Sequence, residues 1–238
     1  AAVRNFKKMG SGPVIVITNS SETPLANLGD LTIAIPAGRE ESVAQTRSFA
    51  SMYIASTALA AQIAGRDDLL EVMTGLPATG ERIMETCKSL VRSVGENLDL
   101  DRFYFLGSGL RYGMACEANL KMKEMTLTHS EPFHFLEFRH GPMSMVGKTT
   151  AVIGLQSSSK SYHEQAVLKD MGTLGGNIFS LGESGADLNF SSNLPEVIRN
   201  VLYLPPLQLM AFYRSLAKVL NPDQPQNLTA VVRLDLEK

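Results

Sequence analysis

Short, mostly apolar runs, each followed within three residues by Gly, Pro or Ser and then by a helical stretch, leave this chain few architectures to choose from. They lie at residues 14–17 (Val-Ile-Val-Ile), 31–35 (Leu-Thr-Ile-Ala-Ile), 103–106 (Phe-Tyr-Phe-Leu), 151–155, 177–181 and 201–204 (Val-Leu-Tyr-Leu). A strand that alternates apolar and polar residues faces water on one side. A strand without alternation is buried on both faces, as in a parallel sheet covered by helices. Strand, turn and helix in succession therefore predict α/β packing.

The order of these elements repeats. A helical segment over 1–9, ended by Gly10, precedes the 14–17 strand, and a long helix over 42–63, ended by Gly65, follows the 31–35 strand that Pro36 stops. Further on, Leu168-Lys169-Asp170-Met171-Gly172 echoes Phe6-Lys7-Lys8-Met9-Gly10, and the 177–181 run answers 14–17. The 201–204 run, stopped by Pro205-Pro206, answers 31–35, and 207–219 answers the long helix. This pattern predicts an internal duplication, with two three-layer α/β/α sandwiches built on parallel sheets, one over residues 1–75 and one over 76–238. The second copy has two more strand-turn-helix units ahead of its echo, so the first is expected to lack its upstream units at the amino terminus. The helical pattern over 67–100, broken at Gly75-Leu76-Pro77-Ala78, reads as the linker, and the Ala-rich stretch 52–63 as a buried core helix.

Composition narrows the function classes. With 238 residues, 44% hydrophobic, 19% charged and a formal net charge of −2, the chain has no basic surplus for nucleic acid. It also has no 18-residue apolar run to span a membrane. Its two cysteines, Cys87 and Cys116, are too few for a disulfide framework or a zinc site and fit a reducing, cytoplasmic setting. The start, Ala1-Ala2-Val3-Arg4, does not read as a signal peptide.

The chemistry gathers in residues 103–146. Behind the 103–106 strand, Gly107-Ser108-Gly109 opens a helix that carries Glu117, Lys121 and Glu124 at i, i+4 and i+7. At about 100° per residue they fall within roughly 60° of one another, so two carboxylates and an ammonium share one helix face. Such spacing is also common on solvated helices. The setting argues for a site: the helix starts at the carboxyl edge of a sheet, and Glu131-Pro132-Phe133-His134 and Arg139-His140-Gly141-Pro142 follow it.

The run from Cys116-Glu117 through Lys121-Met122-Lys123-Glu124 to Arg139-His140-Gly141-Pro142 resembles the sugar isomerase (SIS) domain family. Within that family it is similar to the isomerase half of glucosamine-6-phosphate synthase and to stand-alone glucosamine-6-phosphate deaminases. Pro36-Ala37-Gly38 with Ser42-Val43-Ala44-Gln45-Thr46, and Asp223-Gln224-Pro225-Gln226-Asn227-Leu228, carry the likeness toward both ends. The resemblance implies aldose-ketose proton transfer on a phosphorylated (amino) sugar, without cofactor or metal. It makes Glu124 the proton shuttle, His140 the ring opener, and Lys121 and Glu117 the groups that hold and polarise the sugar oxygens. Val43, Gln45 and Arg139 become substrate contacts. Arg139 stands where the synthases more usually carry lysine, and Thr229-Ala230 stands where they carry Ala-Lys, whose lysine condenses with the keto sugar. Loss of that lysine favours a deaminase or isomerase over an isomerising aminotransferase. A non-catalytic sugar-phosphate-binding regulator would need the pocket but no proton shuttle.

Two further expectations follow. The resemblance also implies a phosphate cradle in the upstream part of the first copy; Ser157 and Ser159, in the Ser-rich turn at 156–161, hold the equivalent place in the second copy and read either as substrate contacts or as helix caps. The 130–142 segment reads as a long polar loop whose Phe133, Phe135, Leu136 and Phe138 need a cover, which predicts a homodimer with a shared active site.

Overall fold

The computed structural model describes residues 1–10 and 12–229 and divides into two compact units, 1–41 with 45–70, and 42–44 with the residues from 71 onward. In the first unit, helix α1 (Ala2–Lys8) precedes strands β1 (Ile15–Thr18) and β2 (Leu31–Ala34), which pair in parallel from Ile15 opposite Leu31 to Thr18 opposite Ala34. Helix α2 (Arg47–Ile63) follows. It begins five residues later than the expected 42, because Glu40 occupies its start. The Glu40 carboxylate accepts the N–H groups of Thr46 (2.9 Å), Arg47 (3.2 Å) and Ser48 (3.0 Å), and the hydroxyls of Thr46 and Ser48. These are the orphan donors of a helix N-terminus. Partial burial would raise the Glu40 pKa, but the hydrogen bonds from Ser48 and Thr46 outweigh it and hold the group below its ordinary 4.5.

The 52–63 stretch is not the buried core helix its composition suggested. Among the described residues of α2 only Ser48 and Ala61 are buried, and Ile63 is 74% exposed. Two short strands give such a helix little to pack on within its own unit.

The second unit starts from the helices read as a linker, α3 (Asp67–Met73, shared between the units) and α4 (Leu76–Gly95), which Pro77 opens at a position that needs no N–H donor. Then come β3 (Arg102–Gly107), α5 (Leu110–Thr126), β4 (His129–Phe133), α6 (Phe135–Phe138), β5 (Thr150–Leu155) and α7 (Ser161–Thr173). β6 (Asn177–Gly182), β7 (Leu188–Asn189), α8 (Glu196–Arg199) and α9 (Leu204–Ala217) complete the described elements. The five strands form one parallel sheet in the order β4-β3-β5-β6-β7. The chain leaves β3 toward β4 on one side and returns to β5 on the other, so the order reverses between β3 and β5.

Side chains of β3 divide between two layers. Tyr104 and Leu106 join Val152 of β5, Phe135 and Phe138 of α6, and Val167, Leu168 and Met171 of α7 in one buried cluster. Phe103, on the other face, lies under the guanidinium of Arg214 from α9, 4.7 Å from the ring centre. Arg214 is 3% exposed and also holds the Thr128 hydroxyl (2.7 Å) and the carbonyls of Asn97 and Leu100, so one buried cation ties α9 to the segments flanking β3 and α5. Burial pushes its pKa down. Where α4 meets α9, a Cβ on Gly95 would stand 2.5 Å from the Met210 carbonyl oxygen, so that crossing requires glycine.

Two more sequence readings change. Residues 201–204 are not a strand: Asn200–Tyr203 is a 3-10 turn running into α9, and Pro205 and Pro206 open that helix rather than stop a strand. The strand beside β6 is β7, earlier and only two residues long. The 130–142 loop is β4 plus α6, and Phe135 and Phe138, 1% and 0% exposed, belong to the unit's own core. Leu136, 54% exposed, is the member of that set left at the surface. While β6 is an interior strand, β1 pairs with β2 alone among the described residues. No helix among the described residues is long and apolar enough to cross a membrane.

Candidate active site

Helix α5 packs against β3, β4 and α9, which turns the face carrying Glu117 and Lys121 inward. Lys121 Nζ lies 2.5 Å from Glu124 Oε2 and 3.7 Å from Glu117 Oε1. The side chains of Lys121 and Glu117 are 3% and 5% exposed, and that of Glu124 is 22% exposed. These values exclude a solvated surface pair, since a buried ammonium needs carboxylate partners and two are supplied. Glu124 is the open member. Its Oε1 takes no hydrogen bond among the described residues, which leaves a lone pair on a carboxylate fixed through its other oxygen. A carboxylate so held can take a proton from one carbon and return it to the next, while a neighbouring ammonium steadies the negative charge that develops on oxygen.

His140 follows α6, is exposed, and donates its main-chain N–H to the Glu137 carbonyl at 2.9 Å. No hydrogen bond or ion pair joins its side chain to the α5 triplet among the described residues. Arg139 pairs with Asp170 of α7. His134 stacks on Tyr112 of α5, with ring centres 4.1 Å apart.

The resemblance at the two ends is brought together in space. The Val43 N–H donates to the Asp223 carbonyl at 3.0 Å, and the Ser42 hydroxyl lies 3.5 Å from the same oxygen. Gln45 is exposed just ahead of α2. Ala230, the residue in place of the synthases' lysine, lies outside the described residues.

The turn after β5 is satisfied from within. Ser157 N–H donates to Glu164 Oε2 at 2.6 Å, and its hydroxyl accepts the Lys160 N–H at 2.8 Å. Ser158 is hydrogen-bonded by Arg199, while Ser159 is exposed. Glu164 also takes Arg111 at 3.2 Å, and Arg111 reaches Glu196 and, at 3.1 Å, the Leu155 carbonyl. Sequence reading passed over Arg111, Glu164 and Glu196. Arg111, two residues behind Gly107-Ser108-Gly109, was the available signal, a cation at the start of a helix where its own dipole disfavours one. Among the described residues no group of three or more His, Cys, Asp or Glu side chains could hold a metal ion.

Known proteins resemble this chain in sequence and fold. The chain is 28% identical over 258 residues to a glutamine–fructose-6-phosphate aminotransferase (isomerizing) of Clostridium tetani, covering 99% of this chain and 41% of that protein. It is 30% identical over 240 residues to the protein of the same name from Gloeobacter violaceus, with 92% and 39% covered. The chain thus spans about two fifths of the length of these curated relatives. The crystal structure of a glucosamine-6-phosphate deaminase from Thermotoga maritima superposes with a TM-score of 0.78 at 32% identity, covering 92% of this chain and 66% of that one. The SIS domain model matches residues 1–62 and 99–187. The chain belongs to the SIS domain family.

Proposed function

We propose that this protein is a phosphosugar isomerase or deaminase of the glucosamine-6-phosphate deaminase type, in which Glu124 carries the proton between C1 and C2. The observation that carries this reading is Lys121, buried between Glu117 and the half-open Glu124. A sugar oxygen placed beside Lys121 would have its developing charge stabilised there. His140 opens the ring, and Val43, Gln45 and Arg139 contact the substrate. The internal closure of the 157–160 turn supports placing the phosphate elsewhere.

Residues 1–75 and 76–238 are read as two SIS-type halves, supported by a family match that falls in two stretches. The protein is further proposed to be a cytoplasmic homodimer with a shared site, although its core absorbs Phe135 and Phe138 and leaves Leu136 as the motive. Sedimentation of a monomer at micromolar concentration would count against the dimer.

An isomerising aminotransferase is the second reading, favoured by the names of the curated relatives. Asn227-Leu228-Thr229-Ala230 lacks the condensing lysine and weighs against it. Coupled turnover of glucosamine-6-phosphate decides among the readings. Ammonia release with ketose formation supports the proposal, and binding without turnover supports a regulator.

A further inference from the structure

His140 is exposed, and among the described residues its ring makes no hydrogen bond or ion pair. Its position therefore comes from the backbone that carries it, the end of the single helical turn α6. One turn does not hold itself in water, so contacts outside the turn must fix it. Phe135 and Phe138 are buried, with the Phe138 ring centre 4.8 Å from that of Tyr104. At the far end Arg139 pairs with Asp170, but their side chains are 35% and 47% exposed, where an ion pair holds weakly.

The start of the turn is held by α5. His134, which immediately precedes α6, lies flat on Tyr112, with ring centres 4.1 Å apart and planes 18° apart. Beside it the Phe135 N–H donates at 3.3 Å to the hydroxyl of Ser108, in the turn that opens α5. Two stacked rings fix an angle as well as a distance, so the stack is the more specific of these contacts. Tyr112 and Glu124 stand on the same 17-residue helix. One element thus references both the carboxylate assigned to proton transfer and the turn that bears the imidazole.

We infer that Tyr112 is a positioning residue for His140, acting through its stack on His134 and through α6. The inference rests on the proposed role of His140 in ring opening. Tyr112 and His134 are half-buried, so the stack can be broken without opening the core around Phe135 and Phe138.

In the full chain, Tyr112→Leu should lower kcat for glucosamine-6-phosphate about tenfold at an unchanged KM, and Tyr112→Phe, which keeps the ring, should restore most of it. His134→Leu breaks the stack from the other side and should act as Tyr112→Leu does. The deciding readout is a double-mutant cycle. His140→Asn retains a residual rate because sugar rings also open unassisted, and in that background Tyr112→Leu should cost less than about twofold. A stack that only stabilised the fold would cost the same in both backgrounds. The chain has four histidines, so proton NMR can follow each ring separately. On Tyr112→Leu the His134 resonance should shift, and the His140 resonance should move with it. Equal costs in the two backgrounds, an unmoved His140 resonance, or a Tyr112→Phe variant as impaired as Tyr112→Leu would overturn this inference alone. An unsubstituted chain that does not turn over glucosamine-6-phosphate overturns the functional reading instead, and the resonances then decide whether the stack sets the His140 turn.

Discussion

Ser157 donates its main-chain N–H to the carboxylate of Glu164, 2.6 Å away, so the turn after β5 encloses an anion supplied by the chain itself. Glu164 is 3% exposed and simultaneously balances the buried Arg111. Glu164→Ala should therefore cost about 3–5 kcal/mol, since it leaves a buried cation short of a partner. Glu164→Gln, which keeps a hydrogen-bond acceptor, should cost less. Urea denaturation of both variants checks this, and a loss below about 1 kcal/mol for the alanine variant would show that water replaces the carboxylate.

At Glu124, substitution by Gln preserves size and removes basicity. Turnover in the full-length protein should fall at least about a hundredfold while sugar-phosphate binding persists. Near-normal turnover would remove Glu124 from the mechanism and favour a binding protein.

Glu40 makes the first unit acid-sensitive. A carboxylate held below its ordinary 4.5 stabilises the folded state fully above that value, and the contribution disappears as pH falls through the lower folded value. Melting of α2 followed by circular dichroism from about pH 6 to about pH 3 should show this loss, and Glu40→Gln should flatten the dependence. An unchanged slope in the variant would transfer the acid sensitivity to other groups.

Gly95→Ala should destabilise the second unit by about 1–3 kcal/mol, because the new methyl meets the Met210 carbonyl and the backbone of Arg214 instead of a yielding side chain. Thermal melting tests it. A neutral outcome would mean that α4 and α9 separate freely at their crossing.

The parts of the fold that could be read from sequence are those where burial and composition agree. β3 and β5 are buried on both faces and stand out as unbroken apolar runs. β4, with the sequence His-Ser-Glu-Pro-Phe, does not, because an edge strand can carry proline and polar residues. The 201–204 run is fully buried, and a short buried apolar run has the same pattern as a turn of helix or a strand. Of the site, the i, i+4, i+7 spacing on α5 revealed the triplet. What it could not reveal was Arg111 meeting Glu164 and Glu196, contacts set by sheet topology rather than by local spacing.

Ser42 and Asp223 stand 181 positions apart in sequence. Closing a loop of that size costs roughly 4–5 kcal/mol of chain entropy, whereas one hydrogen bond returns about 1 kcal/mol. The contact between Val43 and the Asp223 carbonyl therefore cannot nucleate folding, and it forms once other packing has brought those segments close. During synthesis the 42–44 segment emerges early and must wait for residue 223, so its proper placement reports that the second unit has already folded.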